Sequence, residues 1–400
     1  MKLLKYIFFI LIFFEKIFSQ GSIYSQYQFG NYFENTNTIS TSMGSVFVAN
    51  KNNFLNFSNP SILGGIDDTK FSLDFAYEYS KNADSKNVIN FHNGIFRSAV
   101  FAFPISKKHS TAMSFELSPI TYVNYSNEKQ TSNTLKTSYL GSGGLSQFAS
   151  SIAKKISVND DISFSVGIKS GIIFGKIEKT ENLISQITQT NSISSSVIST
   201  HFGNSFLFGS LINFKNFSCG ISFSPKVKLD FSTDTLTKYF NDSNINSTPF
   251  LERKTSSENF TSYLPSQFAV GIASQINELV FLEMDFSSKQ FEEKNYSPSK
   301  QFSLGIEFIP SKEKNVSYFK SIAYRFGGFF RQTHLTVKGE KINENAIAIG
   351  FGLPIEYKSK LNLSIEYLQR GDKKNVQENI LQIRASIDGS EIWFLEQIQE

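Results

Sequence analysis

Three observations predict an all-β fold that closes into a membrane barrel: apolar residues recur at every second position, long and short connections alternate, and charges avoid the apolar face. Lys70 to Ser80 sets the pattern. Phe71, Leu73, Phe75 and Tyr77 share one face of an extended chain, and Ser72, Asp74, Ala76 and Glu78 share the other. No stretch carries helical periodicity of any length.

The elements follow in order from the amino end. Residues 1–20 begin with Lys2 and Lys5, continue through an apolar run from Tyr6 to Phe14, and end in Ser19 and Gln20, the layout of a secretory signal peptide. The run is far shorter than the roughly 20 apolar residues a spanning helix needs. No cysteine follows the cleavage region, so a lipid anchor is not expected. Residues 21–68 carry few strand signals and are the right size to plug a barrel lumen. Residues 69–388 hold about fourteen alternating runs. These are Thr69 to Ser80, Phe96 to Pro104, Thr111 to Val123, Leu145 to Ile156, Ile162 to Lys176, Ser195 to Asn213 and Phe217 to Phe231. Leu264 to Ser274, Leu279 to Ser288, Gln301 to Ile309, Phe319 to Arg331, Ile342 to Ile355, Leu361 to Arg370 and Glu378 to Ile387 complete the set. Residues 389–400 form a periplasmic tail.

The connections decide which side the oil faces. Lys81 to Ile95, Asn124 to Gly144, Ile177 to Ser194 and Ser232 to Tyr263 are long, and the segments between them, such as Ser106 to His109 and Lys215-Asn216, are short. A soluble sandwich has no reason to gather its long loops at one end. An outer-membrane barrel does, with short periplasmic turns and an even strand number. Charge placement agrees, because Lys or Arg near the bilayer midplane costs about 2–4 kcal/mol on the lipid face. Glu116, Glu307, Glu366 and Arg384 all oppose apolar neighbours, and Lys226 and Lys228 oppose Phe223, Val227 and Leu229. The alternation therefore places Lys226, Lys228, Arg325 and Arg384 in a wet lumen beside Glu116, Glu283, Asp285, Glu307 and Glu366, and Cys219 on the lipid face.

Composition excludes other classes. The 42 Phe and 16 Tyr can coat a wide barrel, while a net charge of +4 without a basic stripe argues against nucleic acid. One cysteine and four scattered histidines, at 92, 109, 201 and 334, supply no metal motif, and the histidines read as surface residues. Neither a Gly-x-Ser-x-Gly elbow nor a Walker loop is present, and "GSGG" at Gly141 to Gly144 falls in a long external loop. Neither an enzyme nor a cofactor is expected.

"GSIYSQYQFGNYF", "SMGSVFVA", "NFSNPSILGG", "YRFGGFFRQTHLTVKGEKINENAIAIGFGLPI" and "LNLSIEYLQRG" resemble the FadL-like long-chain fatty-acid transporter proteins of the outer membrane, in the shorter form common among Bacteroidetes-type bacteria. Asn59, Pro60 and Ser61 match that family's Asn-Pro-Ala hatch element, with Ser for Ala. Ser45 stands where relatives often have a second Gly, and the chain ends "EIWFLEQIQE" without a terminal aromatic. The resemblance implies a fourteen-stranded barrel with an amino-terminal hatch, and passive passage of hydrophobic molecules through the hatch and sideways into the outer membrane. Its partners would be outer-membrane lipid, a fatty-acid-like ligand and the barrel-assembly machinery, with the barrel working as a monomer. A cation among Lys226, Lys228, Arg325 and Arg384 would meet the ligand's carboxylate. One branch of the same family serves protein secretion, which leaves open a barrel that binds partner proteins at its outer loops.

Overall fold

The computed structural model describes residues 21–34, 37–50, 55, 58–83, 88–187, 190–241, 243–293, 296–313, 316–355, 359–373 and 375–391. The leader lies outside the described residues. So does the tail beyond residue 391, the last strand running to Glu391 rather than ending at 388.

Fourteen antiparallel strands close into one barrel. They are β1 (Thr69–Ala83), β2 (Val88–Ser106), β3 (Thr111–Ser132), β4 (Leu135–Ser157), β5 (Ile162–Ser185), β6 (Ser192–Phe214) and β7 (Phe217–Ser224 continuing as Val227–Phe240). Then come β8 (Leu251–Leu264 continuing as Ser266–Gln275), β9 (Val280–Gln290), β10 (Ser299–Phe308), β11 (Ala323–Val337), β12 (Glu340–Pro354), β13 (Lys360–Arg370) and β14 (Gln377–Glu391). The ladder from Gln377↔Ala83 to Glu391↔Thr69 joins β14 to β1 and leaves no edge at the seam. Closure satisfies backbone groups that lipid cannot.

The oil is outside. Along β10, Phe302, Leu304 and Ile306 are exposed while Gln301, Ser303 and Glu307 are buried, and the other strands repeat the division. No described helix is long and apolar enough to cross a membrane.

Most of the predicted long loops are strand. β4, β5 and β6 run for 23, 24 and 23 residues, against 11 for β9 and 10 for β10, so β3 to β8 rise above the lipid-facing band as a six-stranded wall. Residues 124–144, expected as loop, are paired almost throughout, and Gly141 to Gly144 lie inside β4. Once the membrane part fixes the register, Ser- and Thr-rich chain continues the ladder in water, since both residues tolerate a pleated surface. Conversely, the start expected at Phe319 is one short helix, Tyr318–Ser321, and β11 begins at Ala323.

Prolines interrupt the wall. Pro225 and Pro265 split β7 and β8 at one height, and Pro119 precedes a register shift in β3, as expected of a residue that cannot donate to a ladder. At Pro225 the side-chain alternation inverts: Ser218 and Ser222 face inward below it, Val227 and Leu229 above it. Lys226 and Lys228 are therefore not lumenal. They lie on the outer face, paired with Glu292 at 2.6 Å and Asp230 at 2.9 Å.

Two substitutions test this assignment of faces. Leu304→Arg, midway along β10, will cost about 2–4 kcal/mol in denaturant unfolding from vesicles. Lys228→Leu will leave the unfolding midpoint where it was.

Candidate functional site

The described residues between 22 and 66 run inside the barrel, and strand side chains grip their backbone at successive heights. Nearest the tall wall's end, the Ser22 hydroxyl donates to both Glu378 oxygens at 2.8 and 2.9 Å, and the Ile23 N–H donates to Glu378 at 3.1 Å. Arg370 joins Glu378 (3.0 Å) to Glu344 (2.6 Å), Arg331 joins Glu344 (2.6 Å) to Glu34 (3.2 Å), and Lys289 meets Glu34 at 2.8 Å. Five strands thus hold one stretch of the inner segment through a continuous ion-pair chain. Burying so many charges is tolerable only because each finds an opposite partner.

Lower down, barrel carboxylates accept from the inner backbone. Asp74 takes the Thr38 N–H at 2.7 Å, Asp285 takes those of Phe47 and Val48, and Glu283 takes that of Ala49 at 3.0 Å. Glu283 and Asp285, read in the sequence as members of a lumenal salt-bridge network, act here with Asp74 as hydrogen-bond acceptors for another segment. The pairs Lys169–Glu116 at 3.0 Å and Arg325–Glu307 at 2.7 Å do fit that network.

Small residues seat the segment. Asn59 caps the 3-10 helix Pro60–Leu63 by accepting from Ser61 N–H (3.2 Å) and hydroxyl (2.6 Å), and donates to the Val48 carbonyl at 2.7 Å. A Cβ at Gly209 would lie 2.1 Å from the Asn59 side-chain oxygen. Ser45 has φ +62°, which explains why glycine suits that position.

Between the inner segment and the wall lies a cavity of about 100 Å³, bounded by two irregularities in the barrel. On one side the ladder between β2 and β3 ends at Ala99↔Leu117, although both strands continue for many residues. There Asn31 and Tyr32 pair with Tyr122 and Thr121 of β3, and Phe33 N–H donates to the Ile120 carbonyl at 2.8 Å. Phe33 stacks on Tyr122 with centroids 4.8 Å apart, and Arg97 of β2 lies 4.0 Å over its ring. The gap between the strands is filled by this inner aromatic. On the other side the cavity reaches Ser224, Pro265 and Gln267 at the break in β7 and β8. Above it, Phe29 enters an apolar lumenal cluster with Val123, Leu145, Ile173, Val227, Leu229 and Leu264.

None of the four cations expected to bind ligand lines this cavity. Arg325 is buried against Glu307 and Asn362, and Arg384 donates to Gln382. The cations that do line it are Lys169 and Lys289. Lys169 was legible as a lysine sharing the face of Ser165 and Gly167, opposite Ile168 and Ile172; Lys289 sits at a strand end, where alternation fades. His201 and His334, expected at the surface, are buried among aromatics, stacked edge-on to Phe29 and face-on to Phe291 respectively. The described residues contain no group of three or more possible metal ligands.

Two outcomes follow for the clamp. Arg370→Met leaves Glu344 and Glu378 short of a partner and will cost about 3–5 kcal/mol in unfolding free energy. Burial pushes the Glu34 carboxyl up, but Lys289 and Arg331 together bring it below its ordinary value. A depressed folded value means that the contribution is complete above the unfolded pKa of about 4.3 and is lost as pH falls through the folded one. Hydrogen exchange corrected for intrinsic rates will show residues 23–34 protected at neutral pH and released first on acidification.

The chain matches the family model named BamG over residues 1–398. No curated protein matches it. Among solved structures, the CymD monoaromatic hydrocarbon channel superposes with TM-score 0.59 at 12% identity, covering 90% of this chain and 98% of that one. A Pseudomonas aeruginosa FadL homologue gives 0.59 at 11% identity over 89% and 98% of the two chains, and the P. putida toluene transporter TodX gives 0.59 at 12% over 91% and 100%. At such identities the likeness is one of fold, that of an outer-membrane barrel. Matched from end to end by the family model, the chain belongs to the BamG family.

Proposed function

We propose that this barrel passes hydrophobic, fatty-acid-like small molecules passively into the outer membrane, with residues 21–68 as its hatch and Asn59-Pro60-Ser61 as the hatch's lower anchor. The supporting observation is the cavity that begins at Phe33 and Ile120, where the β2–β3 ladder stops, and continues beneath the inner segment. A cavity of about 100 Å³ is smaller than the roughly 150 Å³ void that admits benzene, so it holds a segment of an alkyl chain, and a longer chain needs the inner segment to yield. Lateral passage fits this geometry, because beyond Ala99 and Leu117 the backbone of β3 bonds to Asn31–Phe33 of the hatch instead of to β2. Lys169 and Lys289 replace Lys226 and Lys228 as the cations near the path, so an acidic headgroup would compete with Glu116 or Glu34 for them.

A second reading is favoured by the family name, which points to the barrel-assembly machinery. In that reading the wall above the lipid band, formed by β3 to β8, docks a partner protein and the inner segment is a permanent filler.

Native mass spectrometry of the barrel purified from its own outer membrane separates the two. The uptake reading predicts a stoichiometric single-chain amphiphile on the barrel, lost in a cavity-filling Gln147→Trp variant that still folds. A ligand-free barrel carrying a stoichiometric partner protein contradicts it and supports the docking reading.

A further inference from the structure

Resting on the uptake reading, we infer that the break in β6 to β8 is a second lateral portal, through which a single alkyl chain exchanges between the lumenal cavity and the lipid. The ladder between β6 and β7 runs from Ser192↔Phe240 to Gly203↔Leu229, stops, and resumes at Phe208↔Phe223. It thus omits Asn204 to Leu207. The β7–β8 ladder is interrupted at the same height, between Val227↔Leu264 and Ser224↔Gln267, around Pro225 and Pro265. Two neighbouring ladders are therefore broken side by side.

The location gives the break its meaning. Phe202, Phe206, Phe208, Phe223 and Phe268 flank it on the outer face, and the exposed Lys226–Glu292 pair beside them puts the break at the margin of the lipid band. Irregular backbone at membrane depth is tolerated where it is buried in protein or lines a cavity. Here it lines one: Ser205, Phe206 and Leu207 of the unpaired stretch border the cavity together with Ser224, Pro265 and Gln267. The Ser224 hydroxyl, donating to the Phe206 carbonyl at 2.9 Å, is a side-chain bond spanning the breach. Such a bond is more easily exchanged than a ladder.

The occupant is an alkyl chain because the opening has Phe206, Phe223 and Phe268 on its outer side and Ile173, Val227 and Leu264 on its inner side. This portal lies four to five strands round the ring from the β2–β3 gap, and one cavity touches both. A chain can therefore enter the lumen at one interruption and leave at the other.

The test uses the full barrel in phospholipid vesicles with palmitic acid carrying a diazirine at its chain end, irradiated and mapped by peptide mass spectrometry. The portal predicts adducts on lumenal Gln147 or Ser205 and on Ser224, Pro265 or Gln267, falling at least tenfold in Ser205→Trp. Heat-modifiable migration shows that the variant folds, and Ser224→Trp, which blocks the mouth instead, serves if it does not. Adducts on Tyr122 and Ile95 with none at the β6–β8 break overturn the portal and leave uptake standing. Adducts at Ser224 that match those at lipid-facing Phe302 and ignore both tryptophans also overturn it. Absence of any lumenal adduct contradicts uptake itself.

Discussion

Lipid offers no partner to a backbone N–H or carbonyl, and the rest of this molecule depends on that constraint. It forces fourteen strands into a closed ring, puts Phe, Leu and Ile on the outside, and leaves Ser, Gln, Glu and Arg to face inward. The same constraint makes each irregularity in the wall conspicuous. Where β2 parts from β3, the inner segment supplies replacement hydrogen bonds through Asn31, Tyr32 and Phe33. Where β7 and β8 break at their prolines, the missing pairs fall beside a cavity.

The polar interior would be costly if its charges were unpaired, and the inner segment is what pairs them. Glu34 completes the cluster of Lys289, Arg331, Glu344 and Arg370, and the backbone of residues 38–49 supplies donors to Asp74, Glu283 and Asp285. Barrel and inner segment therefore satisfy each other. A buried ion pair contributes little net stability against an apolar alternative but makes loss of one partner expensive. Such a contact fixes where the segment sits, yet parts of it remain exchangeable for a ligand that brings its own charge.

Much of this was legible in the sequence. All fourteen strands follow from alternation, since a two-sided sheet writes its faces directly into every second residue. The wall's height was not legible, because Ser- and Thr-rich chain beyond the apolar band looks the same as loop and strand. Alternation carried straight through Pro225 puts Lys226 and Lys228 on the wrong face, because an inserted residue there inverts all that follows. The proline itself was the signal. Asn59-Pro60-Ser61 could be recognised as a capped turn, but its seat against Gly209 joins residues 150 positions apart that no local pattern connects. The clamp around Glu34 was hidden likewise, its members coming from five strands.

Bromine-labelled palmitic acid bound to the purified barrel, located by anomalous diffraction, tests the central claim most directly. The account predicts bromine density inside the cavity between Phe33 and Pro265, within reach of Lys169 or Lys289, with the inner segment displaced around Phe33. Bromine confined to the lipid-facing surface, with Phe33 still stacked on Tyr122 and the cavity empty of ligand, would contradict it.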